Sequence, residues 1–247
     1  MDLLIKELFN NIRTNHEDIY YYLDLIKSIG SDEIHFGYWS NPKKLCPSNL
    51  EFAKAQSNLS NLVISLINKE FKSVLDIGGG IGSLSNKLFN LRYDPLCIVP
   101  DNKLIKIGKN KFPNIKFLKS SAEFFKINNT FDLAILFESF QYFTKKDLAL
   151  KNIYSHLKVG GKLIILDEFD KNNKDLLNEP LLIEFMDKIG YKLNKNFDIS
   201  KNILPTCDFI INYYLRDNKE MTKMWKLKRI AYINKTLNYR ILVFDKI

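Results

Sequence analysis

One run constrains this chain more than any other: Val74-Leu75-Asp76-Ile77-Gly78-Gly79-Gly80-Ile81-Gly82-Ser83-Leu84. Its first residues are apolar in the manner of a buried strand. The residues after it repeat at helical spacing, with Leu84, Leu88 and Leu91 on one face. A strand, a glycine turn and a helix in that order are the context of a ligand-binding turn. Gly78, Gly80 and Gly82 allow a tight turn and a close backbone approach to a ligand. The helix behind them offers N–H groups to polar or anionic ligand atoms.

The same alternation continues along the chain. Strand-like apolar runs recur at 96–99, 115–118, 131–137 and 162–166. Helical spacing lies between them at Leu104/Ile107 and Leu148/Ile153/Leu157. Strands alternating with helices imply βαβ units and a parallel sheet covered on both faces. Val159-Gly160-Gly161 reads as a helix ending on glycine before the next strand. Residues 180–189 read as a helix stopped by Gly190, and 191–199 and 239–244 as the last two strands. Residues 203–237 read as two helices rich in aromatics and lysine, and residues 1–70 as mainly helical with a turn-like stretch at 37–47. No composition shift marks a linker. The expectation is one domain, 1–247, with a helical lid or substrate region at 1–70, a nucleotide-binding core at 71–247 and a helical cap near 203–237.

Composition narrows the class. Of 247 residues, 46% are hydrophobic and 26% charged, which suits a globular domain rather than a disordered or fibrous one. No apolar run reaches the roughly 18 residues that a membrane-spanning helix needs. Met1 to Glu7 carries acids early and has no basic stretch leading into an apolar one, so no secretory signal is read there. Cys46, Cys97 and Cys207 are far apart and form no CxxC pair, so neither a disulfide framework nor a zinc site is expected. A cytoplasmic protein without a structural metal follows. The 37 basic residues exceed the 28 acidic ones, giving +9. Lysines occur in nearly every segment, so most of this charge reads as solvated surface; 219–240 is the densest exception.

The turn admits three readings. It is not a Walker loop, because no Gly-Lys-Ser/Thr follows. As a dinucleotide fingerprint it reads Gly78-x-Gly80-x-x-Ser83, with serine where a third glycine belongs. As Asp76-x-Gly78-x-Gly80-x-Gly82 it resembles motif I of the class I S-adenosylmethionine-dependent methyltransferases. The resemblance extends along the chain. Phe131 to Glu138 looks like that family's fourth-strand motif, and Leu157-Lys158-Val159-Gly160-Gly161-Lys162-Leu163 looks like its L-K-P-G-G-x-L turn with Val159 replacing proline. Ile34-His35-Phe36-Gly37-Tyr38-Trp39, Ala55-Gln56 and Asp198-Ile199-Ser200 with Ile203-Leu204-Pro205-Thr206 resemble elements of its small-molecule subset. The resemblance implies an α/β fold: a doubly wound, seven-stranded, mostly parallel Rossmann-like sheet with its final strands antiparallel. It also implies S-adenosyl-L-methionine as cofactor, a small-molecule acceptor and a monomer or homodimer.

Site roles follow from the resemblance, each beside a structural alternative. Asp76 and the backbone of Gly78, Gly79, Gly80 and Gly82 would hold the methionine part of the cofactor, or Asp76 would cap nearby N–H groups. Pro100 occupies the slot of the ribose-binding acid; Asp101, one place later, would contact ribose or cap the next helix. Ser121 and Ala122 would meet the adenine, with Glu123 a solvated helix-start residue. Phe137 would line the pocket or fill the core. Glu138 and Tyr142 follow the fourth strand and are candidate catalytic residues. His35 is a candidate base or a structural histidine; His16 and His156 have no partner motif. Tyr38 and Trp39 would close over the cofactor, and Gln56 would help to bind it. Three rivals stay open: a nucleic-acid methyltransferase, although no N-P-P-[YF] motif is present; a nicotinamide oxidoreductase; and a cofactor-binding protein without catalysis.

Overall fold

Ser48 and Glu51 start a long helix by a reciprocal capping box. The Glu51 carboxylate accepts from the Ser48 N–H at 2.9 Å, and Ser48 Oγ accepts from the Glu51 N–H at 3.3 Å. In the computed structural model, which describes residues 23–25, 27–44, 47–214 and 219–247, this helix is α1 (Asn49–Ser65). After it come β1 (Ser73–Ile77), α2 (Ser83–Asn90), β2 (Asp94–Val99), α3 (Asn102–Lys111), β3 (Lys116–Lys119) and β4 (Phe131–Phe137). The second half holds α4 (Lys146–His156), β5 (Leu157–Asp170), α5 (Glu179–Lys188), β6 (Tyr191–Asp198), α6 (Ser200–Phe209), α7 (Lys219–Ile233) and β7 (Leu237–Lys246). The helical reading of residues 1–22, and Cys46, lie outside the described residues.

The strands form one seven-stranded sheet in the order β3-β2-β1-β4-β5-β7-β6. β1 runs parallel to β2 and β4, β2 to β3, and β4 to β5, while β6 and β7 pair antiparallel. This is the mostly parallel, doubly wound sheet that the alternation implied. The winding reverses between β1 and β4, and ligands of such sheets bind at that crevice beyond the carboxyl ends of the strands. Val74, Leu75, Leu133, Ala134, Ile135 and Leu136 have no exposed surface, as expected of strands covered on both faces.

One expected boundary moves. Helix α4 ends at His156, and Leu157 is already extended and paired with Phe131. The β4–β5 register then shifts between Phe131 and Leu133, so Lys158 to Gly161 ride in an irregular start of β5. The glycine pair therefore belongs to a strand irregularity and not to a helix stop. A Cβ on Gly161 would meet the Lys158, Asp132 and Phe131 carbonyl oxygens, which accounts for the glycine there.

The chain divides into two compact units. One holds the described residues up to Leu62 together with Ile199–Tyr239; the other holds Val63–Asp198 with Arg240–Ile247. The stretches read as lid and cap are thus in the first unit, apart from the end of α1 and the residues after it.

Candidate functional site

In the sheet-bearing unit the site is built around the turn between β1 and α2. Gly78, Gly80 and Gly82 all have positive φ, at 73°, 59° and 85°. Any other residue would be strained there, and a Cβ on Gly78 would also collide with Ser139. Ser139 follows β4 and donates its hydroxyl to the Ile77 carbonyl at 2.7 Å. It ties the carboxyl ends of β1 and β4 together at the point where the winding reverses. Gly82 precedes α2 without a side-chain cap of its own.

Asp76 supplies a cap from below. Its carboxylate is fully buried, and Oδ2 accepts from Ser85 Oγ at 2.6 Å, in the first turn of α2. A Cβ on Gly79 would strike that carboxylate and the Cys97 thiol, so Asp76 lies directly beneath the turn. Its other oxygen, Oδ1, has no hydrogen-bond partner among the described residues. Burial raises the Asp76 pKa to about 6, against smaller lowering by the Ser85 hydroxyl and N–H. Burial also pushes the Cys97 thiol up, with the Asp76 charge adding to it. The structural alternative for Asp76 is therefore realised, and its charge sits under the backbone that would meet a ligand.

Asp101 caps α3: its Oδ1 accepts from the Lys103 N–H at 2.6 Å and the Leu104 N–H at 3.1 Å. Pro100, just before it, is exposed. Ser121 is half-buried and Ala122 buried, with the Ala122 carbonyl accepting from Asn152 Nδ2 at 3.0 Å. Glu123 corrects its reading as a solvated residue. It is buried, and Oε1 accepts from the Thr144 N–H at 3.0 Å and the Lys145 N–H at 3.3 Å. It caps the chain entering α4, a role that sequence spacing alone does not reveal.

Phe137 ends β4 and Glu138 follows it, both half-buried at the strand's carboxyl end. Glu138 has φ 51°, uncommon for a residue with a side chain, and its N–H bonds the Leu166 carbonyl at 2.8 Å. Tyr142 ends a short 3-10 turn, Phe140–Tyr142, and is 43% exposed. Asp167 is a residue that the sequence did not single out. Fully buried in β5, it accepts from the Gln141 N–H at 3.1 Å and the Glu168 N–H at 2.8 Å, fastening the 3-10 turn to the sheet. Sheet and turn thus bring Asp76, Gly78, Ser139, Glu138 and Tyr142 to the carboxyl edge of β1 and β4.

His35, Tyr38, Trp39 and Gln56 lie in the other unit. His35 is buried, with Nδ1 2.7 Å from the Phe36 carbonyl and Nε2 3.1 Å from Ser60 Oγ. Ser60 Oγ lies 2.8 Å from Glu33 Oε1, which completes a buried chain. Gln56 donates through Nε2 to the Glu33 and His35 carbonyls at 2.6 and 2.8 Å. Trp39 is buried, and its Nε1 donates to Thr206 Oγ1 at 2.9 Å. Tyr38 is half-buried, with its N–H on the Ala55 carbonyl at 2.8 Å. The Ile34–Trp39, Ala55–Gln56 and Ile203–Thr206 segments are thus one hydrogen-bonded assembly, although far apart in sequence. No group of three or more His, Cys, Asp and Glu residues is placed to hold a metal ion among the described residues.

Comparison with known proteins adds similarities to this geometry. Residues 74–161 match the sequence family described as "Methyltransferase domain". The chain is 28% identical over 239 residues to the ubiquinone/menaquinone biosynthesis C-methyltransferase UbiE of Wigglesworthia glossinidia brevipalpis, covering 92% of this chain and 80% of that protein. Other curated relatives match over about half of their length; one is UbiE of Marinomonas sp., 34% identical over 43% of this chain and 46% of its own. Among solved structures, the cyclase SpnF superposes with a TM-score of 0.72 at 19% identity, covering 93% of this chain and 94% of its own. That likeness establishes a shared fold.

Proposed function

We propose that this chain, an S-adenosylmethionine-dependent methyltransferase, passes the methyl group to a carbon, nitrogen or oxygen nucleophile of a small-molecule acceptor. The observation that carries the reading is the turn at 78–82: three positive-φ glycines at the reversal point of the sheet, seated on a buried carboxylate. That arrangement fits the cofactor. The turn presents backbone without side chains, and Asp76 places a negative charge beneath it. When bound, the cofactor supplies an electrophilic methyl group on a sulfonium, so the chain's own part is alignment and exclusion of water.

In this reading Gly78, Gly79, Gly80 and Gly82 meet the methionine part, and the Asp76 charge attracts its ammonium through the turn. Pro100, Asp101, Ser121 and Ala122 flank the nucleoside, with Asp101 also holding α3. Phe137 lines the pocket. Glu138 and Tyr142 stand where an acceptor would arrive. Tyr142 orients it through its hydroxyl, and Glu138 serves as base for a hydroxyl acceptor or as counter-charge for a carbon acceptor. His35 and Gln56 hold the fold of their own unit: both histidine nitrogens are engaged, so His35 is not assigned as the base.

A small acceptor is favoured over nucleic acid by the kinds of relatives: a quinone-pathway C-methyltransferase and, on the same fold, a geranyl diphosphate C-methyltransferase from Streptomyces coelicolor A3(2). The test is transfer of labelled methyl from S-adenosylmethionine, with the acceptors supplied as a small-molecule extract or as total RNA and DNA. Label entering the small-molecule fraction is expected. Label entering nucleic acid alone, or cofactor binding with no transfer to either, would contradict the proposal.

A further inference from the structure

The stretch from Lys219 to Arg240 holds seven of the 37 basic residues and one of the 28 acidic ones, so it carries most of the net charge of +9. Helix α7 sorts that charge by face. Trp225, Ala231 and Tyr232 are buried. Arg229 is paired with Asp208, its Nε 2.7 Å from Oδ1, and the Lys228 ammonium lies over the Phe36 and Trp225 rings at 4.9 and 5.0 Å. The opposite face is Lys219, Lys223, Lys226, Ile230 and Ile233, all exposed. At the α-helical repeat these five fall within an arc of roughly 80°, directly opposite the buried face. None of the three lysines has an acidic partner among the described residues. Ile230 and Ile233 are 50% and 51% exposed.

We infer that this stripe is a docking surface for an anionic lipid bilayer. Charge complementarity selects an anionic partner, because three lysines with no acidic partner among the described residues stand in line with one acid, Glu220, at the helix start. The two isoleucines select a bilayer over nucleic acid: they continue the same stripe and supply apolar surface that can sink to the acyl boundary but has no use against a phosphate backbone. The helix lies along the surface. No described helix is long and apolar enough to cross a membrane. This inference stands apart from the proposed methyl transfer and needs no particular acceptor.

The test is flotation of the full chain with phosphatidylcholine vesicles, with and without phosphatidylglycerol. Wild type is expected to float only with the anionic vesicles, and to be released as salt is raised. Lys219→Glu/Lys223→Glu/Lys226→Glu is expected to lower binding by on the order of a hundredfold or more. Ile230→Ser/Ile233→Ser is expected to weaken it separately. All five positions are exposed, so the fold should persist, which circular dichroism and S-adenosylhomocysteine affinity would verify. Wild type that fails to float with anionic vesicles, a lysine variant that floats like wild type, or binding to RNA in place of vesicles would overturn the inference.

Discussion

Two aspartates in the sheet carry opposite pH signatures. Asp132, at the start of β4, accepts from the Lys72 and Ser73 N–H groups, the Ser73 hydroxyl and the Lys158 ammonium. Desolvation opposes its charge, yet these donors together hold its pKa well below the ordinary carboxylate range. Its contribution to stability is present above the unfolded pKa of 3.8 and is lost as pH falls below that value. Asp76 behaves the other way. Its folded pKa of about 6 lies above 3.8, so the folded state holds the proton more tightly and stability falls as pH rises between those values. Asp76→Asn is therefore expected to stabilise the cofactor-free protein above pH 6, by up to roughly 3 kcal/mol, with the gain vanishing near pH 4. The same substitution is expected to weaken S-adenosylhomocysteine binding, because it removes the charge beneath the turn. Paired thermal melts with and without the ligand would check both signs. Loss of stability at pH 8, or unchanged affinity, would mean that Asp76 acts only as a helix cap.

At the scale of elements, Thr206 shows how a distant segment is recruited. Its Oγ1 accepts from the Gly37 N–H at 3.1 Å and from Trp39 Nε1 at 2.9 Å, both in buried surroundings. It sits one residue after Pro205, inside α6. Thr206→Val keeps the shape but leaves two buried donors without an acceptor, a loss of about 2–4 kcal/mol. Chemical denaturation should show it; a change below about 0.5 kcal/mol would mean that other groups satisfy both donors. The strands and helices of the sheet were legible because apolar runs and helical spacing report burial directly. The turn was legible because glycine at positive φ has few substitutes. What stayed hidden is long-range: Ser85 and Cys97 beneath the turn, Ser139 against Gly78, and Asp167 and Glu123 as remote caps. Each acts on residues that folding alone brings near, and a polar side chain in the sequence carries no mark of its eventual partner. His35 was ambiguous for the same reason, since Ser60 and Glu33 become its neighbours only in the fold.

At the scale of the whole molecule, the chain combines a nucleotide-type sheet with a net charge concentrated near one helix. The sheet and its turn are where methyl transfer is placed, and the charged helix is where a membrane surface is placed; the two can fail independently. The turn is the more decisive of the two, because every role assigned at the carboxyl edge presumes that the cofactor lies against it. Gly80 has φ 59°, and aspartate there would add strain and, in the proposed binding mode, a negative charge toward the cofactor's methionine carboxylate. Calorimetric titration of wild type and Gly80→Asp with S-adenosylhomocysteine tests this directly. Saturable binding to wild type, and none to a variant with an unchanged circular dichroism spectrum, is the predicted result. Equal binding to both proteins, or none to wild type, would contradict it.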